Sequence, residues 1–253
     1  MPKLDSQDLS TFSTPSKFGF SGVKIEDVDG ASEYTLVTIV CDISGSVMSF
    51  ERELEKCLGI IAESCQNSPR SSNLMIRLVT FNTGVTEIHG FRLLSDIDPD
   101  EYLNSIKSYG GTALFDASYT AIEASLIYGE GLFDKGIDVN GVIFIISDGD
   151  DNASRLRPQD VKQLNKNATL SEKIFGLVTV LVGVVDDKYD NAERIREYLK
   201  KYREEADIDK YVEINDSSAK GFAKLAEFVS QSISSVSEAL PEGEDAKSVS
   251  LTI

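Results

Sequence analysis

The chain has one histidine, three cysteines and few basic residues, and each scarcity removes a class of function. A Ser-His-Asp hydrolase would have to be built on His89, and no Gly-x-Ser-x-Gly elbow is present to carry its serine. No Gly-x-x-x-x-Gly-Lys-Ser/Thr loop is present, which excludes P-loop nucleotide hydrolysis. Lysine and arginine number 25 against 42 aspartates and glutamates, a net charge of −17 over 253 residues. A surface that follows a phosphate backbone must be basic, so nucleic acid is excluded as the main partner. The small basic cluster 199–203 (LKKYR) reads as a solvated helix face. Cys41, Cys57 and Cys65 form an odd set without metal-type spacing, as expected of buried, reduced thiols in a cytoplasmic protein. No apolar run approaches the ~18 residues of a membrane span. The start, MPKLDSQDLSTFSTPSK, lacks the apolar centre and cleavage pattern of a secretory signal.

What is present is an ordinary hydrophobic fraction, 41%, in a chain long enough to bury a sizeable core. Residues 1–33 read as a polar extension, with some order near Phe18 and Phe20. TLVTIVC (35–41) is a continuous β-branched run, as a strand covered on both faces requires. Leu54, Cys57, Leu58, Ile61, Ala62 and Cys65 then repeat at three- and four-residue steps, one face of an amphipathic helix. LMIRLVTF (74–81) and VTEIHGF (85–91) are strands joined by so short a connection that they form an antiparallel hairpin. Further strands are expected at 141–147, 177–185 and 211–214, and helices after Gly111, over 158–173, through NAERIREYLKKYREEA and over the run Phe222 to Val236. Residues 239–253 read as a polar tail. Alternating strands and helices predict an α/β fold: a doubly wound, mostly parallel six-stranded sheet with one antiparallel edge strand and helices on both faces.

In such a sheet, ligands bind at the carboxyl ends of strands where the chain order reverses. The first strand ends at DISGS, so Asp42, Ser44 and Ser46 sit at that edge. Alternating residues of an extended loop point the same way, and Gly45 lets the backbone bend between them. Two more stretches fall at comparable places. SYGGTALFDA (108–117) puts Thr112 after Gly110 and Gly111 and before a helix, and IISDGDD (145–151) puts Asp148 after a buried strand. Together they offer two carboxylates and three hydroxyls. That hard oxygen set suits Mg²⁺, or Mn²⁺ or Ca²⁺, and lacks the His or Cys expected for zinc.

Asp-x-Ser-x-Ser after the first strand, Gly-Gly-Thr in mid-chain and Ser-Asp-Gly after a later strand resemble the von Willebrand factor A domain family and its metal-ion-dependent adhesion site. The resemblance spans roughly residues 34–238. It implies a Rossmann-like fold and a site in which Ser44 and Ser46 bind the metal directly. Asp42 and Asp148 would bind directly or through water, and Thr112 when a ligand is engaged. A partner's Glu or Asp would complete the shell. By the same resemblance Asp116 braces the loops, with Gly45 and Gly111 as supporting positions. The chain also looks like compact intracellular bacterial members of the family associated with tellurium resistance and stress response.

The expected function is therefore a cytoplasmic, non-enzymatic protein–protein interaction module that works through a divalent metal. Blander readings stand beside it. Asp42 and its serines could merely form turns, Asp150 and Asp151 read as solvated loop carboxylates rather than a second cation site, and His89 as a surface or packing residue. Phe115 reads as packing and Tyr109 as part of a partner surface. The domain could also be a scaffold subunit that binds through its helices without metal. The enzymatic rival is a haloacid-dehalogenase-like phosphatase with Asp42 as nucleophile. Such an enzyme needs an acid two residues on, where this chain has Ser44.

Overall fold

The structure is a computed structural model that describes residues 9–16, 18–28, 30–240 and 246–251. Parts of both expected terminal segments (1–8, 17 and 29 of the extension; 241–245 and 252–253 of the tail) lie outside the described residues.

The longest buried runs form the centre. β3 (Glu33–Asp42) lies between β4 (Leu74–Phe81) and β6 (Asp138–Ser147), parallel to both. β7 (Leu177–Val184) and β8 (Lys210–Ile214) extend the parallel array on one side, and β5 (Val85–Leu93) runs antiparallel to β4 on the other. Side chains of β3 alternate between two helical layers, as a two-residue repeat requires. Val37, Ile39 and Cys41 pack in a core shared with α1 (Glu51–Gln66) and α5 (Ala219–Ala239). Leu36 and Val40 face the opposite layer, where α2 (Leu114–Asp134) lies beside α3 (Pro158–Leu170), and α3 beside α4 (Ala192–Ala206).

Two strands more than the expected six complete the sheet, whose order is β1-β2-β5-β4-β3-β6-β7-β8. β1 (Leu9–Phe12) and β2 (Phe20–Val23) come from the segment read as a polar extension, and they extend the sheet outward past β5 as an antiparallel pair. Each is four residues long, too short to show a period in the sequence. Their apolar residues instead join an aromatic cluster built from distant parts of the chain. Phe12 stacks on Phe20 with ring centres 5.0 Å apart, and Phe91 on Tyr128 at 4.7 Å. β2 meets β5 in parallel at a single position, Gly22 opposite Phe91. Gly90 permits that approach, because a Cβ there would lie on the Ser21 carbonyl. At the other terminus, part of the expected tail is packed. Ala246 is fully buried, and the Val249 carbonyl accepts a hydrogen bond from Lys210 Nζ at 2.9 Å.

The topology places the site. From β3 the chain builds β4 on one side and then returns to lay β6 on the other, so its order reverses between β3 and β6. Their carboxyl ends carry Asp42 and Asp148.

Candidate metal centre

Asp42 is the last residue of β3 and is 2% exposed. Ser44 keeps an extended backbone, but a 3₁₀ turn begins at once over Gly45–Ser49. Ser46 therefore reaches its place through a helical turn and not, as the alternation suggested, along an extended loop. Gly45 does not adopt a left-handed conformation; in this region Gly110 does, at φ 80°. The Gly45 N–H donates to the Gly110 carbonyl at 3.2 Å, which joins the two loops.

A continuous run of hydrogen bonds links four of the expected residues. Asp42 accepts from the Ser44 N–H at 2.8 Å and from the Ser147 hydroxyl at 2.7 Å. The Ser44 and Ser46 hydroxyls lie 3.1 Å apart, and Ser46 donates to Asp148 at 2.9 Å. Thr112 is not part of this run and is held by its backbone. Its N–H donates to Asn152 Oδ1 at 2.9 Å, and its carbonyl accepts from the N–H groups of Asn152 and Ala153. Its hydroxyl makes no hydrogen bond among the described residues. The Gly111 N–H donates to the Thr83 hydroxyl at 2.9 Å.

Loop 148–157 is tied to the start of α2 by two carboxylates. Asp116 accepts from the N–H groups of Arg155, at 3.1 Å, and Leu156, at 2.9 Å. Asp151 accepts from the Ser154 hydroxyl and, at 3.2 Å, from the Phe115 N–H. Asp151 thus serves as a structural tie, a role hidden in the sequence because its helical partner lies 36 residues upstream. Asp150 forms an ion pair with Arg194. Neither carboxylate of this pair is simply solvated.

The electrostatics of the run are unbalanced. Burial raises the Asp42 carboxyl above its ordinary range, against the pull of its Ser147 and Ser44 hydrogen bonds. Asp148 is pushed up to about 7, first by burial and then by the charge of Asp42. Neither has an ion pair with lysine or arginine among the described residues. Nor does any group of three or more His, Cys, Asp and Glu side chains come together to hold a metal among those residues. The donors here are two carboxylates and neighbouring hydroxyls, a set that fits a hard oxygen-seeking cation and no soft metal.

The other residues singled out in the sequence lie elsewhere. His89 is buried, with Nδ1 2.9 Å from the Gly90 carbonyl and Nε2 3.0 Å from the Tyr102 hydroxyl, so it packs and serves no serine. Phe115 packs against Tyr202 with ring centres 4.8 Å apart, while Tyr109 is 65% exposed. Cys41, Cys57 and Cys65 are buried free thiols. Asp186, at the carboxyl end of β7, was not singled out. Its only local signal is the pair of aspartates that follows a buried strand.

Residues 37–219 match the von Willebrand factor type A domain. The chain belongs to that family. Among solved structures, this type A domain is similar to the D319A mutant of the PilB minor pilin from Streptococcus sanguinis (TM-score 0.57, 12% identity, 85% of this chain and 64% of that one). It is also similar to a von Willebrand factor type A protein from Catenulispora acidiphila (TM-score 0.54, 14% identity, 79% and 43%) and to proximal thread matrix protein 1 from the mussel byssus (0.53, 18%, 82% and 48%). The chain spans less than two thirds of each of these proteins, and at such identities the likeness is one of fold. None of the curated proteins matches it by sequence. Type A domains generally mediate protein–protein interaction. Among the described residues, no helix is long and apolar enough to cross a membrane.

Proposed function

We propose that this type A domain binds a divalent cation, Mg²⁺ or its analogues, through Asp42, Ser44, Ser46, Thr112 and Asp148, and uses it to take a Glu or Asp of a partner protein without catalysing a reaction. One observation carries the reading: two buried carboxylates, joined through the Ser44 N–H and the Ser44 and Ser46 hydroxyls, have no lysine or arginine ion pair among the described residues. Burying like charges together is costly, and a cation turns that cost into affinity. Ser46 is exposed, so the run of donors reaches solvent where a partner's carboxylate would arrive. The bound cation supplies Lewis acidity that draws in that carboxylate despite the protein's negative charge.

The chain's own residues do the positioning. Asp116 and Asp151 fix loop 148–157 against α2, and that loop holds the backbone of Thr112. The Thr112 hydroxyl, free of hydrogen bonds among the described residues, is then available to the cation or to a water on it. The non-enzymatic reading is supported by Ser44, which stands where a phosphatase of this layout needs a second acid, and by the engagement of His89 with Tyr102. The same reading places the protein in the cytoplasm, beside the compact bacterial members of tellurium-resistance and stress systems. The three buried free thiols support the cytoplasmic part of that reading, and the closing sequence FVSQSISSVSEAL the likeness to those members.

Calorimetric titration with Mg²⁺ and Mn²⁺ tests the proposal. Wild type is expected to show saturable one-site binding, and the Asp42→Ala/Ser44→Ala double variant none. Equal heats from the two proteins would refute it.

A further inference from the structure

A cleft of about 280 Å³ opens beside the candidate centre, and Ser46 and Asp148 form its near wall. Its other walls are mainly apolar: Val184, Val185, Ala192 and Ile195 from the end of β7 and the start of α4, with Phe50 from the loop before α1. Tyr189, also lining it, is 57% exposed. Asp186 also lines it but is already engaged, accepting from the Ser217 hydroxyl at 2.7 Å and the Lys188 N–H at 3.0 Å. Lys188 Nζ lies 3.6 Å from Asp186 and 3.8 Å from Asp216, so these carboxylates have their cation. The volume lies just below the roughly 300–1,000 Å³ of small-molecule pockets and suits one large side chain.

We propose that this cleft seats a Leu, Met or Phe side chain next to the partner residue whose carboxylate engages the metal centre, so that the domain recognises an acidic–apolar pair. The inference rests on the metal-centre reading above. Three observations select this occupant. The cleft and the centre share Ser46 and Asp148, so both are within reach of neighbouring residues, whose Cα atoms are about 3.8 Å apart. The cleft walls are mainly apolar. Among the described residues that line it none is a lysine or arginine, so on a chain of net charge −17 nothing in the cleft favours a second acid.

The test is panning of a displayed random heptapeptide library on the Mg²⁺-loaded protein. The expected pool carries Asp or Glu with Leu, Met or Phe one or two positions away, and EDTA releases it. In a synthetic peptide from the pool, replacing the apolar residue by Ala weakens binding to wild type about tenfold. The same replacement changes nothing on Ala192→Trp, whose added ring fills the cleft. Tyr189→Ser, at an exposed position, provides a second variant should Ala192→Trp not fold, and it is expected to shrink the penalty. An acidic pool with no apolar neighbour, or an undiminished penalty on the folded cleft variants, overturns the cleft proposal and leaves the metal centre standing. A pool without acidic residues, from protein that binds Mg²⁺ by calorimetry, overturns the acidic-partner reading and this proposal with it.

Discussion

The sheet has two regions rich in buried polar groups, and they treat charge in opposite ways. Around β1 and β2, among the described residues, the one closely buried ion pair is matched, and the other charged groups are met by hydrogen bonds from or to the N-terminal segment. Arg77, 1% exposed, pairs with Glu87 at 2.7 Å, and Glu87 also accepts from the Ser21 N–H at 2.9 Å and from the Ser21 hydroxyl. Glu123 accepts from the N–H and hydroxyl of Ser16. Lys135 Nζ donates to the carbonyls of Glu26 and Val28. At the carboxyl ends of β3 and β6, two carboxylates are linked through the Ser44 N–H and two serine hydroxyls and have no basic side chain paired with them among the described residues. A matched buried charge fastens a segment; unmatched like charges prepare a place for something else.

The largest expected effect breaks the matched region. Glu87→Ala leaves the Arg77 guanidinium buried without its carboxylate and should cost roughly 3–5 kcal/mol. Urea unfolding measures the loss, and amide exchange should show β2 opening with it. If stability changes by less than ~1 kcal/mol, the pair is not the fastening described here.

His89 sharpens the contrast through pH. It is held neutral, its pKa lowered to about 4 chiefly by burial, with the Arg92 and Arg77 charges adding to the effect. The unfolded imidazole titrates near ~6.5, so between the two values the unfolded chain binds more protons. The stability contribution is thus complete above pH ~6.5 and lost as pH falls toward 4, by at most roughly 3 kcal/mol. His89→Phe should flatten the stability curve over that window; an unchanged slope would refute the assignment.

Mg²⁺ addresses the unmatched region directly. At free Mg²⁺ near 100 times its Kd, wild type should gain about 2.7 kcal/mol, while Asp148→Asn should gain nothing. In chelator the order reverses. Removing one of the two like charges should make Asp148→Asn more stable than wild type by roughly 1–2 kcal/mol. A variant less stable than wild type in chelator would mean that the pair is not repulsive.

The smallest effect returns to the N-terminal strands. Tyr128→Phe removes a 2.9 Å hydrogen bond to the Val23 carbonyl and should cost about 1 kcal/mol, with faster amide exchange confined to β2.

The same contrast explains what could be read from the sequence. β3, β6 and β7 are rich in β-branched residues and β4 is a largely apolar run, and the helices carry long periodic faces, so local pattern was enough. The positions of Asp42 and Asp148 at strand ends, and of Thr112 just before α2, were legible because each adjoins a recognisable element. The last turn of α3 was overestimated: the helix stops at Leu170, before the expected Lys173. The N-terminal strands were missed because Phe12 and Phe20 acquire meaning only beside Phe91 and Tyr128. The 3₁₀ turn at Gly45–Ser49 was missed because Asp-x-Ser-x-Ser fits an extended loop equally well. Asp151 and Asp186 act through partners far along the chain, and Ala246 and Leu251 are buried by packing that their polar surroundings do not announce.

The most direct test of the metal centre is a crystal grown with Mn²⁺ and measured at an energy where manganese scatters anomalously. The account predicts one strong peak among Asp42, Ser44, Ser46 and Asp148, with oxygen contacts of about 2.0–2.3 Å. It also predicts loss of that peak in Asp42→Ala/Ser44→Ala. A wild-type crystal with Mn²⁺ bound only elsewhere, or with no peak at saturating Mn²⁺, would contradict it.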